Sequence, residues 1–205
     1  MKGPFYSRFF LSYLFLLVFA FAFGLFVDHG EVVLWINQHR TPLLDFLMPR
    51  ITYLGDGLLF ALVSVGLIVY RWRLGLLFSA AGITQALISV VLKRGVFGKV
   101  PRPTKYFEEL GISLNLLPNV DYAQLYSFPS GHTMTVFMLT ALISFLWLPR
   151  RWHMLMLSIA ILGGISRIYL LQHFYIDVIA GSVVGVALAV VFAYLIYPRF
   201  LEKRG

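Results

Sequence analysis

The chain has 205 residues, of which 60% are hydrophobic, 17% aromatic and only 13% charged, with a mean hydropathy of +0.82. Soluble domains carry about 25% charged residues, so the composition excludes one and points to a chain threaded through a bilayer. The net charge of +8 lies in short basic clusters between apolar runs, which argues against nucleic acid as a partner, and the absence of cysteine excludes disulfides and thiolate metal sites.

Apolar runs near the ~20 residues needed to cross about 30 Å of hydrocarbon fall at about 9–27, 52–70, 74–92, 132–148, 153–171 and 174–196. The first contains Ala20-Phe21-Ala22, a small-x-small triplet like that of a cleavable leader. Its apolar stretch is longer than a leader's and continues to Val27, so it reads as a span. Residues 28–51 follow outside the membrane, with Leu44, Leu47, Met48 and Ile51 at helical spacing and Thr41, Asp45 and Arg50 off that stripe, which predicts a short helix lying in the interface. The one long connection, 93–131, mixes basic and apolar residues, and a loop of that length is usually functional.

Six spans place both termini on one face. Lys2, Arg8, Arg71, Arg73, Arg150, Arg151, Arg199, Lys203 and Arg204 share that face. Opposite them stand Arg40, Arg50, Arg94, Lys99 and Lys105, together with three further cations discussed below. The short turns at Arg71 and Arg150 carry the strongest inward signal, which predicts cytoplasmic termini. No internal repeat or low-complexity segment appears, so the prediction is a single domain over 1–205. Its fold class is all-α and polytopic, with six transmembrane helices and short interfacial helices in the outer loops.

Under this threading Lys93, Arg102, Ser130, His132, Arg167, His173 and Asp177 all reach the outer face, six at helix ends and Arg102 in a loop. Three permanent cations, two imidazoles, a hydroxyl and a carboxylate suit a phosphate group. Pro129-Ser130-Gly131-His132 opens a helix: serine is a favoured cap, glycine admits a close ligand, and the free amides attract an anion. In isolation the same four residues would also describe a plain capped helix with an interfacial histidine. His173 and Asp177 are four apart and share a helical face, so the carboxylate can fix one imidazole nitrogen and leave the other unprotonated, as in nucleophile-orienting triads. A zinc or magnesium site on His132, His173 and Asp177 is the rival use, but three converging cations would repel a divalent ion. No metal or other cofactor is predicted.

Ser166-Arg167, then His173, then Asp177, together with Pro129-Ser130-Gly131-His132, resembles the signature of the type 2 phosphatidic acid phosphatase superfamily. Arg102-Pro103 resembles the end of its first motif, with eight residues between Lys93 and Arg102 where the family has six; Lys99 is the other candidate lysine. Thr52-Tyr53-Leu54-Gly55-Asp56-Gly57 resembles an amino-terminal feature of the bacterial membrane branch. The resemblance implies a lipid phosphatase of the bacterial inner membrane with its site on the periplasmic side. It further implies that His173 attacks phosphorus to give a phosphohistidine, that Asp177 holds its tautomer and that His132 protonates the leaving oxygen. Lys93, Arg102, Ser130, Gly131 and Arg167 would hold the phosphate oxygens. Within it, undecaprenyl diphosphate and phosphatidylglycerophosphate are favoured substrates, with a lipid A phosphatase or lipid phosphotransferase as alternatives. Outside it stands an anion-binding transporter.

Overall fold

The computed structural model describes residues 7–196. Lys2, Arg199, Lys203 and Arg204, used above to orient the chain, lie outside the described residues, as do both termini. Within them, regular structure is helical apart from one isolated antiparallel bridge, Pro101–Leu125. The helices are α1 (Arg8–Gly24), α2 (Glu31–Gln38), α3 (Pro42–Ile51), α4 (Gly57–Val90), α5 (Pro103–Glu109), α6 (Gly131–Leu146), α7 (His153–Tyr169) and α8 (Tyr175–Val190).

Three stretches are long and apolar enough to cross a membrane, Gly57–Val96, Arg150–Tyr169 and Tyr175–Tyr194, while Arg8–Gly24 and Gly131–Leu146 are shorter apolar helices. The first of the three is not straight. Arg71 leaves helical geometry (φ −145°, ψ 82°), and a Cβ built on Gly75 would lie 2.2 Å from the Ile68 backbone nitrogen. Residues seven apart in a continuous helix are separated by about 10 Å along the axis, so α4 folds back on itself at Arg71. Phe60 packs against Gly82 and Phe78 across that fold. The cause is legible in Tyr70-Arg71-Trp72-Arg73, where two arginines interrupt the apolar run and their guanidinium groups lie over the Tyr70 and Trp72 rings.

Helix α6 forms the centre and is buried along most of its length. It is approached closely by α8 because Gly181 and Gly185, four apart, present no side chain: Cβ atoms there would fall 2.6 Å from Ser130 O and 2.5 Å from Met134 O. Such small-residue stripes let helices meet backbone to backbone where lipid gives no hydrophobic drive to association. Gly163 and Gly164 of α7 instead make room for the side chains of Val136 and Val178. Interior hydroxyls are satisfied locally: Ser64 donates to Phe60 O, Thr140 to Val136 O and Ser144 to Thr140 O, all at 2.8 Å. Helix α1 joins this core through the T-shaped Phe9–Phe145 pair and the Tyr13–Ser182 hydrogen bond.

The segment 28–51 forms two helices where one was predicted. The stripe of α3 also faces protein: Met48 packs with Tyr169 and Leu170 at the end of α7, flanked by Leu44 and Ile51. Asp45 reinforces the docking, accepting from Tyr169 Oη at 2.6 Å and from Arg40 Nε at 3.0 Å.

Candidate active site

The turn between α7 and α8 carries the chemistry. Gln172 N donates to Arg167 O (2.9 Å) and Leu171 N to Ile168 O (3.0 Å), the paired bonds that close a helix when the following residue is left-handed. That residue is Leu171, at φ 56°, where glycine is usual. The conformation costs roughly 1–3 kcal/mol for a residue with a side chain. It is offset by burial of the Leu171 side chain among Val33, Phe107, Ile168 and Phe174. The turn thereby aims Arg167 and His173 into one interior space.

Asp177 sits in the first turn of α8, where its Oδ2 accepts from Phe174 N at 2.9 Å and so caps that helix. The same oxygen faces His173 Nδ1 at 3.3 Å and accepts from Ser127 Oγ at 2.5 Å. All three side chains are buried, with His173 only 1% exposed. A proton on Nδ1 is held by Asp177, which leaves Nε2 with its lone pair. The Asp177 carbonyl also accepts from Ser130 N (3.0 Å), so the first turns of α6 and α8 are tied together.

Ser130 caps α6, with its Oγ accepting from Thr133 N (3.4 Å) and Thr133 Oγ1 (2.8 Å). Gly131 and His132 follow at that open end. Lys93 lies beside them, its Cε 3.9 Å from where a Gly131 Cβ would be, and Lys93 Nζ donates to Tyr126 O at 3.0 Å. Lys99 is exposed. The structure therefore brings in the more distant lysine; the π-helical turn Val91–Val96 and the left-handed Gly98 (φ 71°) take up the longer spacing to Arg102.

Arg102 is clamped by Gln172, donating from one terminal nitrogen to the Gln172 backbone carbonyl (3.2 Å) and side-chain oxygen (2.7 Å), and from Nε to Leu125 O (3.0 Å). Burial lowers the pKa of the Arg102 guanidinium from its ordinary value. Arg167 donates to Thr52 Oγ1 at 2.6 Å, whereas its Nε is buried with no partner. Because a buried N–H is rarely left unpaired, this donor marks a place for a ligand acceptor. Burial first, then the charges of Arg102, Arg167, Lys93 and His132, hold the His173 imidazole well below its ordinary range. The spacing of motif residues gave no sign of Ser127, Gln172 or Thr52 as their partners. Ser127 stands two residues ahead of Pro129, and Thr52 opens the amino-terminal feature noted above.

An apolar helical protein with a buried imidazole hydrogen-bonded to a carboxylate and surrounded by cations has the features of a membrane phosphoryl-transfer enzyme. A family model, the PAP2 superfamily, matches residues 72–201. The chain belongs to the PAP2 superfamily and is a membrane phosphatase. It is 31% identical over 167 residues to phosphatidylglycerophosphatase B of Bacillus subtilis, covering 73% of each chain. It is 28% identical over 156 residues to the bacitracin transport permease protein BcrC of Bacillus licheniformis, covering 76% of this chain and 74% of that one. Among solved structures, Aquifex aeolicus LpxE superposes with a TM-score of 0.68 at 27% identity, over 80% of this chain and 93% of the other. A transmembrane PAP2-type phosphatidylglycerolphosphate phosphatase of Bacillus subtilis superposes with a TM-score of 0.62 at 26% identity, over 100% and 98%.

Proposed function

We propose that this lipid phosphatase hydrolyses the phosphate monoester or diphosphate of a membrane lipid at the outer interface of a bacterial inner membrane, through a phosphohistidine. Undecaprenyl diphosphate and phosphatidylglycerophosphate are the favoured substrates, the second also being the substrate in the names of two relatives. The carrying observation is that the buried His173, hydrogen-bonded to Asp177, is held by the turn that closes on Arg167 O, and that the buried Arg167 Nε beside it has no partner.

His173 Nε2 attacks phosphorus in line; the P–N bond forms as the P–O bond to the lipid breaks, and His132 gives its proton to the departing oxygen. Water then attacks the phosphohistidine, returning its proton to His132 and releasing inorganic phosphate. Lys93, Arg102, Arg167, Ser130 and the Gly131 amide hold the equatorial oxygens where charge accumulates. The cations supply the neutralisation a metal would give, so EDTA is expected to leave phosphate release unchanged.

The reading includes a single domain of six spans, with α4 contributing two. Its fold at Arg71 supports this, as does the stacking of Tyr70 on Trp147 at the end of α6 remote from the site. Lys93, His132, Arg167 and His173 then share one face, and the termini share the other. Ser127→Ala should lower kcat about tenfold or more, because the buried Asp177 loses one of its donors, and should cost about 1–3 kcal/mol of stability. Turnover and thermal unfolding of the purified variant check both.

The decisive experiment measures phosphate release from a panel of detergent-solubilised lipid phosphates, with the His173→Ala protein as control. Release from no lipid phosphate would overturn the reading. The name of the Bacillus licheniformis relative says transport, of bacitracin, and names no anion; an anion-binding transporter is the second reading. It would bind phosphate and release none from lipid.

A further inference from the structure

We infer that Asp56 is a positioning residue for the leaving-group proton, its carboxylate favouring a proton on the neighbouring His132. The inference rests on the phosphatase reading above. Gly55 is buried against the first turn of α6: a Cβ there would lie 2.6 Å from His132 O and 3.1 Å from His132 Cβ. The chain at Gly55 therefore touches the His132 backbone, and only a residue without a side chain fits. Asp56 is next, in extended conformation at the head of α4, where its Oδ1 accepts from Leu58 N at 2.8 Å and fixes the side chain as a cap. Four residues earlier Thr52 Oγ1 accepts from Arg167, so the strip 52–56 bridges Arg167 and His132.

The charged groups acting on the His132 imidazole come from every element around it. They are Arg167 of α7, Lys93 beyond the end of α4, Arg102 at the head of α5, and Asp56. His173, in the turn after α7, is its titratable neighbour. Asp56 is the one negative charge in that group. Burial first, and then three cations, oppose a proton on His132, while the proposed reaction requires one there. Asp177 is turned to His173 through Oδ2, which also accepts from Ser127 and Phe174 N, and is not among the charges acting on His132. Two imidazoles with opposite tasks, one neutral and one protonated, thus each have a carboxylate, and environment separates their roles.

Asp56→Asn removes the charge and retains a good helix cap; Asp56→Ser, also a cap, serves if the asparagine variant fails to fold. The readout is kcat against pH on an alkyl phosphate, whose leaving oxygen needs a proton, and on a nitrophenyl phosphate, whose leaving oxygen does not. The expected result is a loss of about tenfold or more on the alkyl ester, within the range a positioned acid contributes, and a change within about twofold on the nitrophenyl ester. The basic limb on the alkyl ester should move to lower pH. In a His132→Ala background, Asp56→Asn should cost nothing further. Equal losses on both esters, or a full additional loss without His132, would overturn the assignment to the proton. Neither result touches the phosphatase reading, which fails separately if His173→Ala leaves turnover intact.

Discussion

Replacing His173 with alanine is expected to reduce phosphate release on the order of 10⁴-fold or more, because it removes the atom that forms the covalent intermediate. The loss should fall on kcat, since Lys93, Arg102 and Arg167 still hold the phosphate. Trapping with radiolabelled substrate and acid quench should show label on the parent protein and none on the variant. The folded protein should be little affected: the imidazole is buried among cations, and Asp177 retains its bonds from Ser127 and Phe174 N. Undiminished turnover in His173→Ala would refute the proposed role.

The same site fixes the sign of the pH dependence. His173 is held well below its ordinary range by burial and then by Arg102, Arg167, Lys93 and His132. The nitrogen proposed as nucleophile is therefore free at neutral pH and is lost only as pH falls through the depressed folded value. The acid limb of kcat/KM due to this group should lie well below pH 6.5, the ordinary value. Arg102→Gln removes one opposing charge and should move that limb to higher pH. Stability follows the same linkage: between the folded and unfolded values the unfolded chain binds the extra proton, so acid erodes stability from about pH 6.5 downward.

What the sequence reveals of this molecule depends on whether the determining partner is near in the chain. The Arg71 fold is legible because two arginines and two aromatics interrupt an apolar run locally. The His173–Asp177 pair is legible because the two residues are four apart in the chain, although His173 meets Asp177 from the turn before α8 and not from a shared helical face. Thr52, 115 residues from Arg167, and Ser127, 50 from Asp177, are not, since nothing in their surroundings specifies a distant partner. The α3 stripe shows a different limit. Amphipathic spacing identifies an apolar face, but lipid and the end of α7 are equally apolar, and only the tertiary contact of Met48 with Tyr169 decides between them. The helix Glu31–Gln38 escaped notice because its Val32-Val33-Leu34-Trp35-Ile36 run is rich in β-branched and aromatic residues, which weaken helix propensity.

Arg167→Met is expected to abolish most activity while leaving the fold as stable as before, or more so. Arg167 is 7% exposed, donates to Thr52, and keeps a buried Nε without a partner. In the absence of substrate its charge is opposed by burial and by Arg102 and met only in part by Asp56, with Asp177 already committed to His173 and Ser127. A buried charge without full compensation destabilises the resting protein, and an apolar side chain of similar length removes that cost. During reaction the position reverses its sign of benefit, because the phosphoryl group brings negative charge to all three cations. Losing a single donor to such charge costs about 10²–10³ in kcat, and Arg167 offers more than one, so a loss of at least that size is expected. The paired measurement is turnover together with thermal unfolding in the same detergent. A variant that loses activity and unfolds at markedly lower temperature would show Arg167 to be a structural strut through Thr52. Loss of activity with an unchanged or raised unfolding temperature is the result that a site strained toward its ligand requires.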